Sequence, residues 1–290
     1  MVHRFAPHAS DWNIRALHRG SRGQGRIRGG QVDLSGVNGS SDALFQLQRT
    51  LYESKNPTRR WLHCSRRDWI VAALNRWGAA RSRALEVGPG SGVYLPTLAQ
   101  LAPEAFGVDI EDAYLSRLRP LEQAHSNLRL VHDDILRSSF PDAHFDLILC
   151  SEVIEHIKDA RQALAEMRRL LSPSGVLVLS TPQKFSPLEL FSKVAFLPGI
   201  IQIVRWIYRE PILETGHINL MTSRRLRKLL AGAGFAIEET HTAGVYIPGI
   251  AEAFGNRALR LEQALEPRLR GTLLEGLLWT QFVVASPAPH

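Results

Sequence analysis

The chain has 290 residues, 44% of them hydrophobic, a formal net charge of +7 and only two cysteines. This length suits one α/β domain with additions or two small domains. Two cysteines imply no disulfide framework, and no apolar run reaches the roughly 18 residues that span a bilayer. The N-terminus lacks the apolar core of a secretory signal, so we expect a cytoplasmic protein. The positive charge favours nucleic acid, an anionic membrane surface or an acidic substrate as partner, unless it reflects only an arginine-rich composition.

The N-terminal part divides into two segments of different character. Residues 1–40 are rich in Arg, Gly, Ser and His and have almost no apolar periodicity, which predicts a flexible basic arm. Residues 41–82 predict N-terminal helices, because apolar residues recur there at helical spacing. These residues are Leu44, Leu47, Leu51 and Tyr52, followed by Trp69, Ile70, Ala73, Leu74 and Trp77.

A glycine-rich turn follows the first apolar strand, Ala84–Val87. Its glycines are Gly88, Gly90 and Gly92, and the apolar pattern after them predicts a helix. A strand, a glycine loop and a helix start together are typical of nucleotide-type binding sites, since glycine permits a tight turn and close approach of a ligand. Glu86 precedes the first glycine by two residues, where a carboxylate disfavours a diphosphate and favours an ammonium group. The alternative is a turn that only joins a strand to a helix.

Six more apolar segments predict strands, and helical segments separate most of them. The pattern predicts an α/β fold over residues 83–286, with a Rossmann-like, seven-stranded, mostly parallel sheet and helices on both faces. The segments are Ala105–Asp109, Leu128–Val131, Phe145–Cys150, Val176–Ser180, Phe235–Thr240 and Trp279–Ala285.

Acidic residues stand at the ends of the second and third predicted strands. Asp109 lies 17 residues beyond Gly92, close to the offset of a ribose-binding carboxylate in a βαβ unit. Its alternative role is to cap the helix that starts near Glu111. After the third strand come two adjacent acids, Asp133 and Asp134.

These features in this order resemble the class I S-adenosylmethionine-dependent methyltransferases, from about residue 68 to residue 285. The features are Glu86-x-Gly88-x-Gly90-x-Gly92, Asp109, the acids after the third strand and Pro173-x-Gly175 before the fifth. Within the class, the run from Ser151 to His156 with Ser180-Thr181-Pro182 is most similar to ubiquinone-biosynthesis O-methyltransferases.

The resemblance implies S-adenosylmethionine as cofactor and a small-molecule or lipid-like hydroxyl as methyl acceptor. It implies that residues 41–82 form a lid, with Arg59 and Arg60 as candidates for the cofactor carboxylate. It also assigns an acid and an apolar residue after the third strand to the adenine ring. The implied cofactor-binding residues are Glu86, Gly88, Gly90, Gly92, Asp109, Ile110, Asp134, Ile135, Cys150 and Ser151.

Glu152, Glu155, His156 and His217 are the candidate catalytic residues. The first three have the spacing i, i+3 and i+4, which places them on one face of a helical turn. With His217 they resemble the metal-dependent methyltransferases that act on small-RNA 3′ ends. The resemblance implies Mg²⁺ or Mn²⁺, which would bind the acceptor hydroxyl and lower its pKa. Alternatively, the motif packs structurally and His156 is a base or a polar wall of the pocket.

Residues 185–213 are strongly apolar and interrupt the α/β pattern. We interpret them as a cap over the acceptor site. A dimer surface and a membrane-interface element are the alternatives, and the latter would make the protein peripheral at a membrane. Two other functions also stay open. The positive charge and the metal motif favour an RNA 2′-O-methyltransferase, although no aromatic-plus-basic platform stands out. The other alternative is a non-catalytic, cofactor-binding partner subunit.

Overall fold

The computed structural model describes residues 50–195 and 217–289, and these contain one seven-stranded sheet. The strands are β1 (Arg83–Val87), β2 (Glu104–Asp109), β3 (Leu128–His132), β4 (Phe145–Ser151), β5 (Leu171–Pro182), β6 (Phe235–Ala243) and β7 (Thr280–Pro287). The helices are α1 (Pro57–Trp77), α2 (Leu95–Leu101), α3 (Asp112–Ala124), α4 (Ala160–Leu170), α5 (Pro187–Ala195), α6 (Ser223–Gly232), α7 (Ile250–Phe254) and α8 (Asn256–Leu269). Short 3₁₀ turns lie at Leu51–Glu53, Ile154–His156 and Glu275–Leu277.

The strand order is β3-β2-β1-β4-β5-β7-β6. Neighbouring strands from β3 to β5 are parallel, and β7 runs antiparallel to β5 and β6. The predicted mostly parallel sheet is therefore confirmed. Chain order reverses between β1 and β4, and in open α/β sheets such a switch point lies beside the ligand crevice at the carboxyl ends of the strands.

Helices cover both faces of the sheet, as the sequence predicts. On one face, α4 and α6 contribute Leu164, Met167 and Leu230 to a core with β4 and β5. On the other face, α1 and α2 contribute residues that include Leu74 and Leu98. Because both faces are buried, the central strands are apolar throughout rather than alternating. This packing fixes the strand ends that carry the candidate site.

Helix α1 covers the sheet with the face that the sequence predicts. Asn56 caps it by accepting a hydrogen bond from the Arg59 backbone N–H at 3.1 Å, and Pro57 occupies its first turn. Near its start, Thr58 Oγ1 donates to the buried Glu262 carboxylate of α8 at 2.6 Å. The helix is therefore fastened to the C-terminal part of the chain.

Three predicted segments lie wholly or partly outside the described residues. The basic arm, residues 1–40, is outside them, as is most of the first lid helix. The cap segment 185–213 is described as far as residue 195, where α5 ends. Among the helices that the structure describes, none combines the length and apolar character needed to cross a membrane.

Candidate active site

The glycine loop after β1 is built on left-handed backbone conformations. Gly88, Gly90 and Gly92 have φ values of 61°, 51° and 72°, a region that disfavours other residues. A Cβ atom on Gly88 would lie 2.7 Å from Val153 Cγ2, and one on Gly92 would lie 2.6 Å from Leu118 Cδ2. The loop is thus closely covered on two sides, and the Gly88 contact joins it to the segment after β4.

Glu86 is a buried carboxylate with an unsatisfied oxygen. Glu86 is 2% exposed, and its Oε2 atom has no hydrogen-bond partner among the described residues. Burial raises the pKa of this carboxyl well above its usual range. A buried acceptor without a partner costs stability. The arrangement suits a ligand that brings a cationic donor to the end of β1.

Asp109 ends β2 beside the glycine loop and makes a hydrogen bond to the turn that follows it. Its Oδ1 atom accepts a hydrogen bond from the Glu111 backbone N–H at 2.9 Å, which shapes the turn into α3. Burial raises its pKa, and the backbone N–H of Glu111 acts in the opposite direction. The adjacent Ile110 side chain is 61% exposed, unusual for a large apolar residue. This edge therefore offers a carboxylate next to an apolar surface.

The two acids after β3 have different surroundings. Asp133 Oδ2 accepts hydrogen bonds from Ser138 Oγ at 2.6 Å and the Ser139 backbone N–H at 3.1 Å, so it shapes its own loop. Asp134 accepts from the Leu136 backbone N–H at 2.9 Å. Its Oδ2 atom also lies 3.6 Å from Arg137 Nε, so Asp134 has fewer hydrogen-bond partners than Asp133.

Two residues of the predicted cofactor-binding set have buried side chains. Ile135 packs among buried residues of the α4 face and is 8% exposed. The Cys150 side chain is fully buried in the same cluster, and burial raises the pKa of its thiol. These two residues can offer a ligand mainly their backbone. The next residue, Ser151, is half-buried, with its Oγ 3.0 Å from Ser180 Oγ.

Glu152 does not share a helical face with Glu155 and His156, and this part of the prediction is wrong. Its backbone has φ of 55°, and the 3₁₀ turn begins only at Ile154. Ser180 stabilises this conformation with two hydrogen bonds of 3.0 Å. Its carbonyl accepts from the Glu152 N–H, and its hydroxyl donates to Glu152 Oε1. The left-handed backbone turns the Glu152 carboxylate toward α1.

Arg66 of α1 is the partner of Glu152, at 2.7 Å between Nη1 and Oε2. Their side chains are 10% and 18% exposed. Burial alone would lower the pKa of Arg66, but the Glu152 carboxylate outweighs this and raises it. The guanidinium also lies 5.1 Å from the Trp279 ring centroid and 3.0 Å, through Nη2, from His63 Nδ1. Arg66 therefore links α1 to the segment after β4.

Arg66 was not singled out from the sequence, where Arg59 and Arg60 are the candidates for the cofactor carboxylate. Arg60 is exposed, and its Nη1 donates to the Ser54 carbonyl at 2.9 Å. The signal for Arg66 was available, because it stands four residues before Ile70 and so on the buried face of the predicted helix. An arginine at such a position requires a buried acceptor.

Glu155, His156 and His217 converge, so three of the four predicted residues lie together. One carboxylate oxygen and one nitrogen from each ring lie within 4.8 Å of one another. Glu155 is fully buried: Oε2 accepts from Thr181 Oγ1 at 2.9 Å, and Oε1 has no partner among the described residues. Burial raises its pKa, and the nearby Glu152 adds to the effect.

Backbone hydrogen bonds bring His217 to this cluster. The Glu155 carbonyl accepts from the N–H groups of Ile218 at 3.0 Å and Asn219 at 2.9 Å. The rings of His156 and His217 consequently lie 5.1 Å apart. A carboxylate and two imidazoles in this arrangement can hold a divalent cation or move a proton.

Comparison with known proteins identifies a methyltransferase domain in the chain. A family model described as a methyltransferase domain matches residues 58–240. A probable S-adenosylmethionine-dependent methyltransferase of Mycolicibacterium smegmatis is 29% identical over 165 residues, 56% of each chain. The ubiquinone biosynthesis O-methyltransferase of Pseudomonas aeruginosa is 28% identical over 130 residues, 44% of this chain and 54% of the relative. The chain thus spans about half the length of these curated relatives.

A solved structure shows the same fold. The magnesium protoporphyrin IX methyltransferase of Synechocystis, crystallised with bound SAH, superimposes with a TM-score of 0.57 at 17% identity. The alignment covers 86% of this chain and 96% of that one. Since the family model covers more than half of the sequence, the chain belongs to the class I S-adenosylmethionine-dependent methyltransferases.

Proposed function

We propose that the protein transfers the methyl group of S-adenosylmethionine to a hydroxyl oxygen of a small-molecule or lipid-like acceptor. The observation that carries the proposal is the buried, unpartnered Glu86 oxygen beside the glycine loop. S-adenosylmethionine has an ammonium group that can satisfy this oxygen and no phosphate that it would repel. When bound, it supplies an electrophilic methyl group.

The residues around the loop fit the remaining parts of this cofactor. Asp109 offers a carboxylate to the ribose hydroxyls, and Ile110 offers an exposed apolar surface to the adenine ring. Asp134 lies at the next strand end, where it can accept from the adenine amino group. The chain's own work is then alignment of the acceptor and removal of its proton.

Oxygen is proposed as the methyl acceptor because of the cluster of Glu155, His156 and His217. Glu155 and His156 follow Val153, which lies against the glycine loop. His217 precedes the two residues whose backbone N–H groups donate to the Glu155 carbonyl. The three side chains can take up a hydroxyl proton or hold an ion that lowers the hydroxyl pKa. The named activity of the Pseudomonas aeruginosa relative supports the same reaction.

We also propose that Glu155, His156 and His217 hold one divalent ion. The unpartnered Glu155 Oε1 supports this, because a cation would satisfy it. Glu152 is removed from the predicted set, since Arg66 neutralises it. Two imidazoles and one carboxylate suit Mn²⁺ better than Mg²⁺, which prefers oxygen ligands.

The metal proposal predicts Mn²⁺ binding that depends on His217. In metal-free protein, His217→Ala should weaken Mn²⁺ binding at least about tenfold. Even a change to a residue that only hydrogen-bonds to a metal ligand has an effect of this size. The affinity of the variant for S-adenosylmethionine should stay unchanged, because different residues form the two sites. Titration with Mn²⁺ followed by electron paramagnetic resonance measures the first affinity and calorimetry the second. Full turnover of metal-free protein in excess chelator would reject the metal and leave His156 as the candidate base.

Asp109→Ala should weaken S-adenosylmethionine and S-adenosylhomocysteine equally, because both ligands carry the same ribose. Loss of hydrogen bonds to a charged group predicts roughly a tenfold to hundredfold weaker affinity for each. Calorimetric titration of both ligands measures the two effects. A loss confined to one ligand would show that Asp109 does not contact the ribose.

We propose that residues 185–213 cap the acceptor site and provide any contact with a membrane or a second copy. The described start of this segment supports an apolar contact surface, since Phe185 and Leu190 are exposed, as is Ile218 beyond its end. An apolar acceptor such as a hydroxylated lipid matches these side chains.

The direct test is formation of S-adenosylhomocysteine with hydroxylated aromatic and lipid acceptors, in parallel with short RNA across a salt series. Turnover with a hydroxylated small molecule supports the proposal. Turnover only with RNA, with affinity that falls steeply as salt rises, would favour the 2′-O-methyltransferase. Binding of S-adenosylmethionine without turnover on any acceptor would favour the partner-subunit alternative.

A further inference from the structure

A second buried carboxylate, that of Glu189, contacts His217. Glu189 lies in the first turn of α5 and is 5% exposed. Its Oε2 atom is 3.0 Å from His217 Nδ1, and its Oε1 atom is 3.5 Å from Trp279 Nε1. Its backbone N–H donates to the buried Ser186 hydroxyl at 3.3 Å. Hydrogen bonds therefore hold both the backbone and the carboxylate of Glu189 in place.

The partners of Glu189 determine which nitrogen of His217 carries the proton. An indole N–H can only donate, so Glu189 Oε1 is the acceptor toward Trp279. An ionised carboxylate accepts at both oxygens, so Oε2 accepts from His217 Nδ1–H. A neutral imidazole carries one N–H, and protonation at Nδ1 leaves a free lone pair on Nε2. That lone pair is the one available to the cluster with Glu155 and His156.

We propose that Glu189 is a positioning residue that holds His217 in its Nδ1–H form, with Nε2 as the acceptor or ligand atom in the cluster. The inference rests on the proposed function, because it assigns the working atom of the same site. It also explains a buried carboxylate outside the Glu152–His156 motif. Such carboxylate–histidine pairs fix both the tautomer and the ring orientation of a functional histidine.

The pair also joins the two ends of the apolar insert. Glu189 lies near its start and His217 just after it, 28 positions apart in sequence. The side chains are 6% and 15% exposed, so water competes little for their hydrogen bond. The described part of the insert consequently contributes directly to the geometry of the cluster.

The tautomer can be read by nitrogen-15 NMR of protein labelled at histidine, with the His217 signals assigned by His217→Gln. The wild-type protein should show a protonated Nδ1 and an unprotonated Nε2. In Glu189→Gln only one of the two terminal atoms is an acceptor oxygen, and the other is an NH₂ donor. The amide therefore cannot accept from both Trp279 and His217 in the places of the two carboxylate oxygens. His217 of this variant should shift toward the Nε2–H form. An Nε2–H form in the wild type, or an unchanged tautomer in Glu189→Gln, would overturn the inference.

Glu262→Gln is the matched control, because Glu262 is also a buried glutamate but accepts from Thr58 and the Ile247 N–H instead. It should leave the His217 tautomer unchanged. In metal-free protein loaded with Mn²⁺, Glu189→Gln should weaken Mn²⁺ binding about tenfold to hundredfold, and the control should not. Absence of Mn²⁺ binding in the wild type rejects the metal, whereas the NMR result alone decides the role of Glu189. The two failures are thus distinguishable.

Discussion

Arg66→Met should lower the free energy of unfolding by about 3 kcal/mol, the low end of the range for breaking a buried ion pair. The variant leaves the Glu152 carboxylate without its cation while Glu152 stays 18% exposed, which limits the loss through partial hydration. It also removes the cation–π contact with Trp279. Urea denaturation measures the change. A loss below about 0.5 kcal/mol, typical of a surface substitution, would show that the pair is not a structural link.

The double variant Arg66→Met/Glu152→Gln is the control for this result. Removing both charges should recover much of the lost stability, since replacement of a complete buried pair is often neutral. Glu152→Gln alone should also lower stability, because the amide has one acceptor oxygen and can accept from Ser180 or from Arg66 but not from both. Failure of the double variant to recover stability would assign the loss to packing of the arginine side chain.

Glu86→Gln should weaken S-adenosylmethionine binding roughly tenfold to hundredfold, the value of a charge-assisted hydrogen bond. The same change should stabilise the ligand-free protein at neutral and alkaline pH. The folded pKa of Glu86 is raised, so its favourable contribution is complete below the unfolded pKa of about 4.3. That contribution is lost as the pH rises through the folded pKa. Glutamine does not titrate and avoids the loss.

Calorimetry measures the affinity, and thermal unfolding between pH 4 and pH 8 measures the stability. The difference in stability between Glu86→Gln and wild type should grow with pH and reverse when S-adenosylmethionine saturates the wild type. Glu104→Gln is the control, because Glu104 is exposed on the next strand and pairs with Arg83. Unchanged affinity in a folded Glu86→Gln variant would remove the ammonium assignment and the main support for the cofactor site.

The fold was predictable because its signals are local and repeated. Continuous apolar runs mark strands buried on both faces, and the three glycines mark a loop whose backbone requires left-handed conformations. The predicted strands all exist, with ends that differ by a few residues. The structure extends β5 by five residues on its N-terminal side, from Val176 back to Leu171. Pairing of Phe145 with Leu171, beyond a register shift, produces this extension, and no apolar run marks it in the sequence.

The candidate site was only partly predictable, because it depends on contacts between distant residues. Glu155, His156 and His217 were found by motif, but the helical face assumed for Glu152 does not form. One left-handed residue and a partner 86 positions away redirect that carboxylate. Glu189 carried no sequence signal, since an acid in the first turn of a helix is ordinarily a favourable surface charge. Only the folded chain shows that it is buried against a histidine.

Trp279 contacts side chains of both α1 and α5, the two helices beside the site. The indole packs against Arg66 and His63 of α1, and its N–H faces Glu189 of α5. Displacement of α1 therefore alters the group that also holds α5, and displacement of α5 alters the support of α1. A change at Trp279 alone should therefore alter the surroundings of both the Arg66–Glu152 pair and the Glu189–His217 pair.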